Sequence, residues 1–337
     1  MSPIAAKKIL LVKNRAMGDA VIGLGALAYL RELYPDSTIV YAIPSWICPL
    51  FKQVETAASE IYPLDLKKAS GWFSLLAYMR GGKFGLVYEL FQSGRIGRFF
   101  SLSQLLWRAP YYFHNHHLEV GEKVIDQGLI KPVIQRDLDG IWSQLAKRKG
   151  EIPKYLDYAP SMKCINSSEI KKRIIFGVVA TRDTKMWPFE FYVRLAKLIL
   201  EKFPNYQISI PLSQSIRDTE CELELMRLGL PSEVEFVRQP LEFLPNFLKE
   251  SQLYIGNDTG LKHIAVAVGL KNYTFFGPEP PLEWHPYAKE DNPFFYRDNL
   301  ECRTINAHYC GLNSCDSMIC LNQILPETVF EAIQGEF

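Results

Sequence analysis

Three stretches of the chain set charged and hydroxyl side chains beside glycine, a combination suited to handling an anion or a proton. The first is Lys13-Asn14-Arg15-Ala16-Met17-Gly18-Asp19-Ala20. Gly18 permits a tight backbone turn. Asp19 then stands at the entry to an apolar run, where a carboxylate has two uses. It can satisfy N–H groups at a helix start, or it can face a cleft as a general base. Its ordinary pKa of about 4 leaves it ionised at neutral pH in either use. The second stretch is Val179-Ala180-Thr181-Arg182-Asp183-Thr184-Lys185-Met186-Trp187-Pro188. Thr181 and Thr184 offer hydroxyls, and Lys185 is a mobile point charge suited to a diphosphate. The N–H groups at the start of a following helix favour the same anion. Read without chemistry, this is a solvated loop with a surface lysine. The third stretch is Gly256-Asn257-Asp258-Thr259-Gly260-Leu261-Lys262-His263-Ile264-Ala265. Thr259 and Gly260 place backbone N–H groups at a helix start, again an anion site. His263 lies one turn further on, as a ligand or as a packing residue.

Weaker signals surround these. Phe276-Gly277-Pro278-Glu279-Pro280 is a strand breaking into a turn. Between Lys67 and His117 stand Lys67, Lys68, Arg80, Lys83, Arg95, Arg98 and Arg108 against one acid, Glu89, with Trp72, Phe73, Trp107, Tyr111, Tyr112 and Phe113 interleaved. Such a surface suits a phosphorylated or carboxylated glycolipid and an anionic membrane leaflet; it is also what an ordinary solvated face looks like. Asp137-Leu138-Asp139 matches a two-acid metal motif by spacing alone, without a strand exit to support it. His114, His116 and His117 lie in an aromatic loop and read as surface or packing residues.

The elements that must position these residues alternate between strand and helix. Lys7 to Lys13 reads as a buried strand, Met17 to Leu33 as a helix stopped by Pro35, Thr38 to Ile43 as a second strand and Phe84 to Leu90 as another. A polar stretch, Asn166 to Lys172, is the linker candidate. The alternation then restarts, with strands at 173–179, 207–210, 253–256 and 273–276 and helices at 189–203, 219–228 and 260–268. This rhythm predicts parallel sheets with right-handed crossovers. Two such sheets in tandem, with their carboxyl edges facing, would form a cleft for a donor and an acceptor. The expected domains are 1–165 and 172–325, with a terminal helix over 326–337 packing back on the first domain.

Composition narrows the class. A chain of 337 residues, 48% hydrophobic and 22% charged, can bury two cores and is not disordered. A net charge of +1 gives no ground for nucleic-acid binding. No stretch has the 18 or so consecutive apolar residues of a membrane helix, and Met1 to Lys8 lacks a signal-peptide core, so a cytoplasmic protein is expected. Seven cysteines, four of them at Cys302, Cys310, Cys315 and Cys320, do not have the paired spacing of common zinc sites. They read as reduced thiols, with a metal or a redox-labile pair as the alternative.

The segments Lys13; Gly18-Asp19; Thr181 to Pro188; Asp258 to His263; and Phe276-Gly277-Pro278, in this order, resemble glycosyltransferase family 9, the lipopolysaccharide heptosyltransferases. The ending from Cys315 to Glu327 resembles many members as well, so the likeness runs along nearly the whole chain. The resemblance implies a GT-B fold of two Rossmann-like domains and an inverting, metal-independent transfer with no cofactor. Asp19 would take the proton from an acceptor hydroxyl. That hydroxyl would attack the anomeric carbon of an ADP-heptose-like nucleotide-sugar donor. Thr181, Lys185 and the Thr259–Gly260 turn would hold the diphosphate, Asp258 would contact the sugar hydroxyls and His263 would sit by the phosphates. Lys13, Arg95 and Arg98 are the acceptor-side candidates. The implied partners are the donor, a lipopolysaccharide core or other glycolipid acceptor, and the inner face of the inner membrane as a peripheral contact. The chain departs from the pattern at Asn14-Arg15, Ala180, Leu212-Ser213 and Lys262.

Other readings are a nicotinamide-dependent oxidoreductase, a non-catalytic sugar-nucleotide binder, and the same fold using another nucleotide sugar. The first wants G-x-G-x-x-G after the first strand, whereas Gly23-Leu24-Gly25 falls inside the first helix.

Overall fold

The computed structural model describes residues 7–107, 109–115, 119–120, 123–124, 130–146, 150–303, 310, 312 and 314–337. The chain divides into two compact units at Lys163 and Cys164.

In the first unit the large sheet has strands β1 (Lys8–Val12), β2 (Thr38–Pro44), β3 (Glu60–Leu64), β4 (Leu86–Glu89) and β5 (Tyr111–Phe113), in the order β3-β2-β1-β4-β5. Every pairing is parallel, and Leu10 sits between Val40 and Val87. The continuous apolar runs of β1 and β2 follow from this: a central parallel strand is covered on both faces. Helices α1 (Met17–Leu33), α2 (Ala69–Gly82), α3 (Gly94–Trp107) and α4 (Val133–Gln144) flank the sheet. Leu10, Val12, Val40, Val87, Ile96 and Phe100 form one core cluster. Helix α1 is buried almost continuously from Ala20 to Leu30 and packs on α4. A Cβ on Gly25 would fall on the carbonyl oxygen of Tyr158, so only glycine lets the helix approach this closely.

The second unit repeats the plan. Strands β6 (Arg173–Gly177), β7 (Gln207–Pro211), β8 (Val234–Val237), β9 (Leu253–Asn257), β10 (Asn272–Phe276) and β11 (Phe294–Tyr296) run in the order β8-β7-β6-β9-β10-β11, all parallel. Helices α5 (Phe189–Lys202), α6 (Ile216–Arg227), α7 (Leu244–Lys249), α8 (Gly260–Ala267) and α9 (Pro326–Ile333) pack around it. In both sheets the order reverses beside the first strand, between β1 and β4 and between β6 and β9. This is the topological switch point, where the loops after neighbouring strands diverge and leave a crevice.

Helix α9, expected against the first domain, packs instead on α5 of its own unit. Its apolar face is the reason: Val329 and Ile333 are fully buried in the second core, and Phe330 packs against it. Lys202 bonds Gln334 at 2.9 Å across the same seam.

The tight seat of α1 is testable by a pair of variants. Gly25→Ala should cost about 1–3 kcal/mol, because backbone blocks the added methyl. Gly81→Ala in α2, where a Cβ meets nothing within 4 Å, should be neutral or stabilise by up to about 1 kcal/mol. Urea midpoints of the two variants check both.

Candidate functional site

Asn257, the last residue of β9, is fully buried and organises the carboxyl edge of the second sheet. Its side-chain oxygen accepts from the Trp187 backbone N–H at 2.9 Å and the Tyr192 hydroxyl at 3.2 Å, and its amide donates to the Val178 carbonyl at 2.7 Å. These bonds tie the loop after β6 to the end of β9. Trp187 is anchored as well, stacked on Phe275 at 4.2 Å and donating to the Ile324 carbonyl at 2.8 Å. The short helical turn Asp183–Lys185 is thereby delivered to the next residue along, Asp258. Gly277 admits the turn after β10 to the same place, since a Cβ there would lie 2.6 Å from the Thr184 carbonyl oxygen.

Asp258 is 5% exposed, and each of its oxygens holds a lysine at 2.6 Å: Lys185 on one and Lys262 on the other. Burial alone would raise its pKa. The two ammonium groups outweigh that and hold the carboxyl well below the usual carboxylate range. Lys262 is fully buried, donates to the Trp284 carbonyl at 2.8 Å and lies over the Phe276 ring. Burial pushes its ammonium down to about 8, against the pull of Asp258. Lys185 keeps 16% of its side chain exposed. The two lysines therefore differ in setting: Lys262 is sealed against the carboxylate, and Lys185 is partly open. Thr259 is the N-cap of α8 and Gly260 its first residue, so the helix start adjoins both charges. His263 is buried and bonds Tyr287 at 2.5 Å. Burial drives its pKa well below the ordinary value, so it is neutral at pH 7.

These positions amend several expectations. Asp258, expected to meet sugar hydroxyls, has both oxygens occupied by lysines. The Thr184 hydroxyl is buried and donates to the Leu312 carbonyl at 2.8 Å, so only Thr181, which is exposed, offers a free hydroxyl in that loop. Lys262 stood out only as a departure from the family pattern. Its i,i+4 spacing from Asp258 on a helix start was the available signal. Arg182 pairs with the buried Glu279, linking the second stretch to the turn after β10.

In the first unit, α1 begins after Ala16 as N-cap, and Asp19 is its third residue, half-buried. Burial raises the Asp19 pKa most. Lys13 and Arg15 pull it back, Asp137 raises it, and the Ala16 backbone N–H lowers it. That N–H bond is one half of a capping box, so the carboxyl caps its own helix. Lys13 is 2% exposed, with its ammonium 2.9 Å and 3.2 Å from the two oxygens of Asp137. It is thus withdrawn from the acceptor surface, because Asp137 holds it in the interior just past the end of β1. Asp137 also holds His114 at 3.0 Å, and His114 in turn meets the Tyr88 hydroxyl at 3.2 Å. Burial would raise the Asp137 pKa; Lys13 and His114 reverse this and lower it.

Asp137 and Asp139 do not converge: Asp139 pairs with Lys131 at 2.8 Å. No metal-binding cluster of His, Cys, Asp and Glu occurs among the described residues. His116, His117 and Arg108 lie outside them. Arg95 lines a cavity of about 560 Å³ at the carboxyl edge of the first sheet, with Asn14, Arg15, Lys67, Trp46 and Trp72. Arg98, one turn further on, is exposed and is not part of its wall.

Two Rossmann-like units of parallel sheet, each with charged loops at its switch point, define a GT-B type protein. Residues 111–308 match the model of glycosyltransferase family 9 (heptosyltransferase), and the chain belongs to that family. It is 24% identical over 292 residues to lipopolysaccharide heptosyltransferase 1 of Campylobacter coli, covering 81% of this chain and 84% of that one. Its fold matches that of the Escherichia coli ADP-heptose lipopolysaccharide heptosyltransferase II with a TM-score of 0.70, at 19% identity over 98% of both chains. An E. coli heptosyltransferase solved with ADP gives a TM-score of 0.65 at 18% identity, covering 98% of this chain and 100% of that one.

The Asp258 cluster makes a stability prediction. A carboxyl whose folded pKa is depressed contributes fully above its unfolded value of about 4, and that contribution is lost as pH falls below it. Asp258→Asn strands the buried Lys262 and should cost about 3–5 kcal/mol at pH 7. The gap to wild type should shrink as pH is lowered below about 4, as read from urea unfolding at pH 7 and pH 3.5.

Proposed function

We propose that the protein is an inverting glycosyltransferase that moves a heptose from an ADP-heptose donor to a hydroxyl of a lipopolysaccharide core or related glycolipid. The observation that carries this is the Lys185 ammonium beside the Asp258–Gly260 turn, in a chain of glycosyltransferase family 9. As the donor bond breaks, charge builds on the leaving diphosphate. A lysine and helix N–H groups already in place stabilise that charge without reorganisation. Lys185 would leave Asp258 for the diphosphate while Lys262 keeps the carboxylate neutralised. Thr181 would add a hydroxyl from the same loop, and neutral His263 with Tyr287 would wall the site.

In this reading Asp19 is the general base. Its burial favours the protonated form, so the carboxylate is more basic than a solvated one and better matched to a sugar hydroxyl. Lys13, fixed by Asp137, keeps it ionised at working pH. Arg95 and the cavity beside it bind the acceptor, and Arg98 guides it electrostatically from the outer face of α3. The residues named here perform the transfer without a cofactor or a metal ion. The donor implies action in the cytoplasm, with the glycolipid met at the inner membrane face. No helix among the described residues is long and apolar enough to cross a membrane.

Midpoint shifts on adding ADP, GDP or UDP test the donor. ADP should stabilise most, and Lys185→Ala should weaken its binding by about tenfold or more. A larger shift with another nucleotide would replace the donor assignment. Asp19→Asn should lower kcat by about 10²–10⁴ with the midpoint kept. Because the carboxylate form is the active one, wild-type rate should fall as pH drops through a pKa above the ordinary value of about 4, and the asparagine variant should lack that limb. Arg95→Ala should raise the acceptor KM and leave the donor KM alone; equal kinetics for both substrates would remove Arg95 from the acceptor site.

A further inference from the structure

The charges around Asp258 do not cancel. Its two oxygens each hold one ammonium at 2.6 Å, from Lys185 and from Lys262. Two cations against one anion leave a single net positive charge. The neighbouring titratable groups are neutral or paired. Burial keeps His263 and His285 uncharged at pH 7, His285 with its pKa pushed down to about 3, and keeps the Tyr287 hydroxyl protonated. In the turn after β10, buried Glu279 pairs with Arg182. Glu283, buried close by, acts on Glu279 and is not among the charges that shift Lys262. Those charges are Asp258, which favours the Lys262 ammonium, and Lys185, which opposes it.

The two cations are placed very differently. Lys262 is 0% exposed. Its ammonium donates to the Trp284 carbonyl at 2.8 Å as well as to Asp258, and it lies 4.9 Å from the Phe276 ring centroid and 5.9 Å from that of Tyr287. No ligand reaches it unless that packing opens. Lys185 is the cation at the surface of the cluster. A Lys185–Asp258 pair by itself would be neutral. An anion that drew Lys185 away would then leave a bare carboxylate in the interior, a costly state. With Lys262 present, the carboxylate keeps a partner whichever way Lys185 points, and repulsion from Lys262 loosens the hold on Lys185. Buried charges are weakly screened, so Lys262 acts on the open side of the cluster from inside the protein.

We propose that Lys262 is a positioning residue that supplies the net positive charge of this site: by holding Asp258 from the interior it releases Lys185 to bind the diphosphate of the donor, without touching the ligand itself. That the anion is a donor's diphosphate rests on the transferase reading above; the charge assignment does not.

The test is calorimetric titration of the full chain with inorganic pyrophosphate and with ADP. Lys262→Met, an apolar replacement of similar length, makes the cluster neutral and should weaken binding of both by about tenfold or more. Combining Asp258→Asn with Lys262→Met leaves Lys185 as the one charge, and this double variant should recover most of the loss. A residue needed for packing alone would not be rescued by altering its partner as well. Urea midpoints show that the variants are folded. The buried Lys262 ammonium loses its proton as pH rises through about 8, so wild-type affinity should fall there relative to the double variant, which meets the same ligand ionisation without that group. Lys262→Met binding pyrophosphate like wild type, or a double variant no better than the single one, overturns the proposal. If Lys262→Met does not fold, the pH comparison decides, and parallel profiles of wild type and double variant between about pH 7 and pH 9 overturn it. Lys262-dependent binding of pyrophosphate in a protein that does not bind ADP sinks the donor reading and leaves the charge assignment standing.

Discussion

A carboxylate taken out of water beside the end of a parallel strand must be neutralised where it stands, and both units meet this demand with lysine. Asp258 follows β9 and is 5% exposed, between Lys185 and Lys262. Asp137, on α4, is 2% exposed and is met by Lys13 at the end of β1. Removing either partner of such a pair leaves a bare charge in a medium of low dielectric. The surrounding loops are consequently held in register by charge, not only by packing. In the second unit that register brings the loop after β6 onto the loop after β9. In the first it fixes the strand end from which Arg15 and Asp19 project.

The two clusters differ in what they leave accessible. Around Asp258, one lysine is sealed and the other is partly open. Around Asp137, the lysine is sealed and the histidine continues the network to Tyr88. Lys13 and Asp137 are both buried there and form a charged scaffold beside Asp19. Asp19 draws on that scaffold through the Lys13 charge and on its own helix through the Ala16 N–H.

The sheet order explains why these charges collect where they do. Parallel strands connected by right-handed crossovers place every βα loop on one edge. The order reverses beside β1 and beside β6, so the loops there part and leave room. The cavity at the first edge and the lysine pair at the second both sit at such points. Glycines at 177, 256 and 277 let the second edge close up. A Cβ on Gly256 would lie 2.7 Å from the Gly177 backbone, and one on Gly277 would press on the lysine turn.

Much of this was legible from residue order. Apolar runs marked β1, β2, β6, β9 and β10 because covered parallel strands have no polar face. Asp19, Lys185, Asp258 and Gly260 could be found because tight turns before helices need particular residues at particular spacings. What could not be read was which charge meets which. Lys13 and Asp137 are 124 residues apart, and no local pattern links them; the pairing exists only because α4 packs on α1. Lys262 stood out only as a departure from the family pattern, yet tertiary packing buries it completely. Helix α9 packs on α5, more than a hundred residues away in the chain, and no local pattern names that partner. Local chemistry is encoded in neighbours along the chain, whereas burial, and with it the basicity and partner of every buried charge, is decided by contacts that close only in three dimensions.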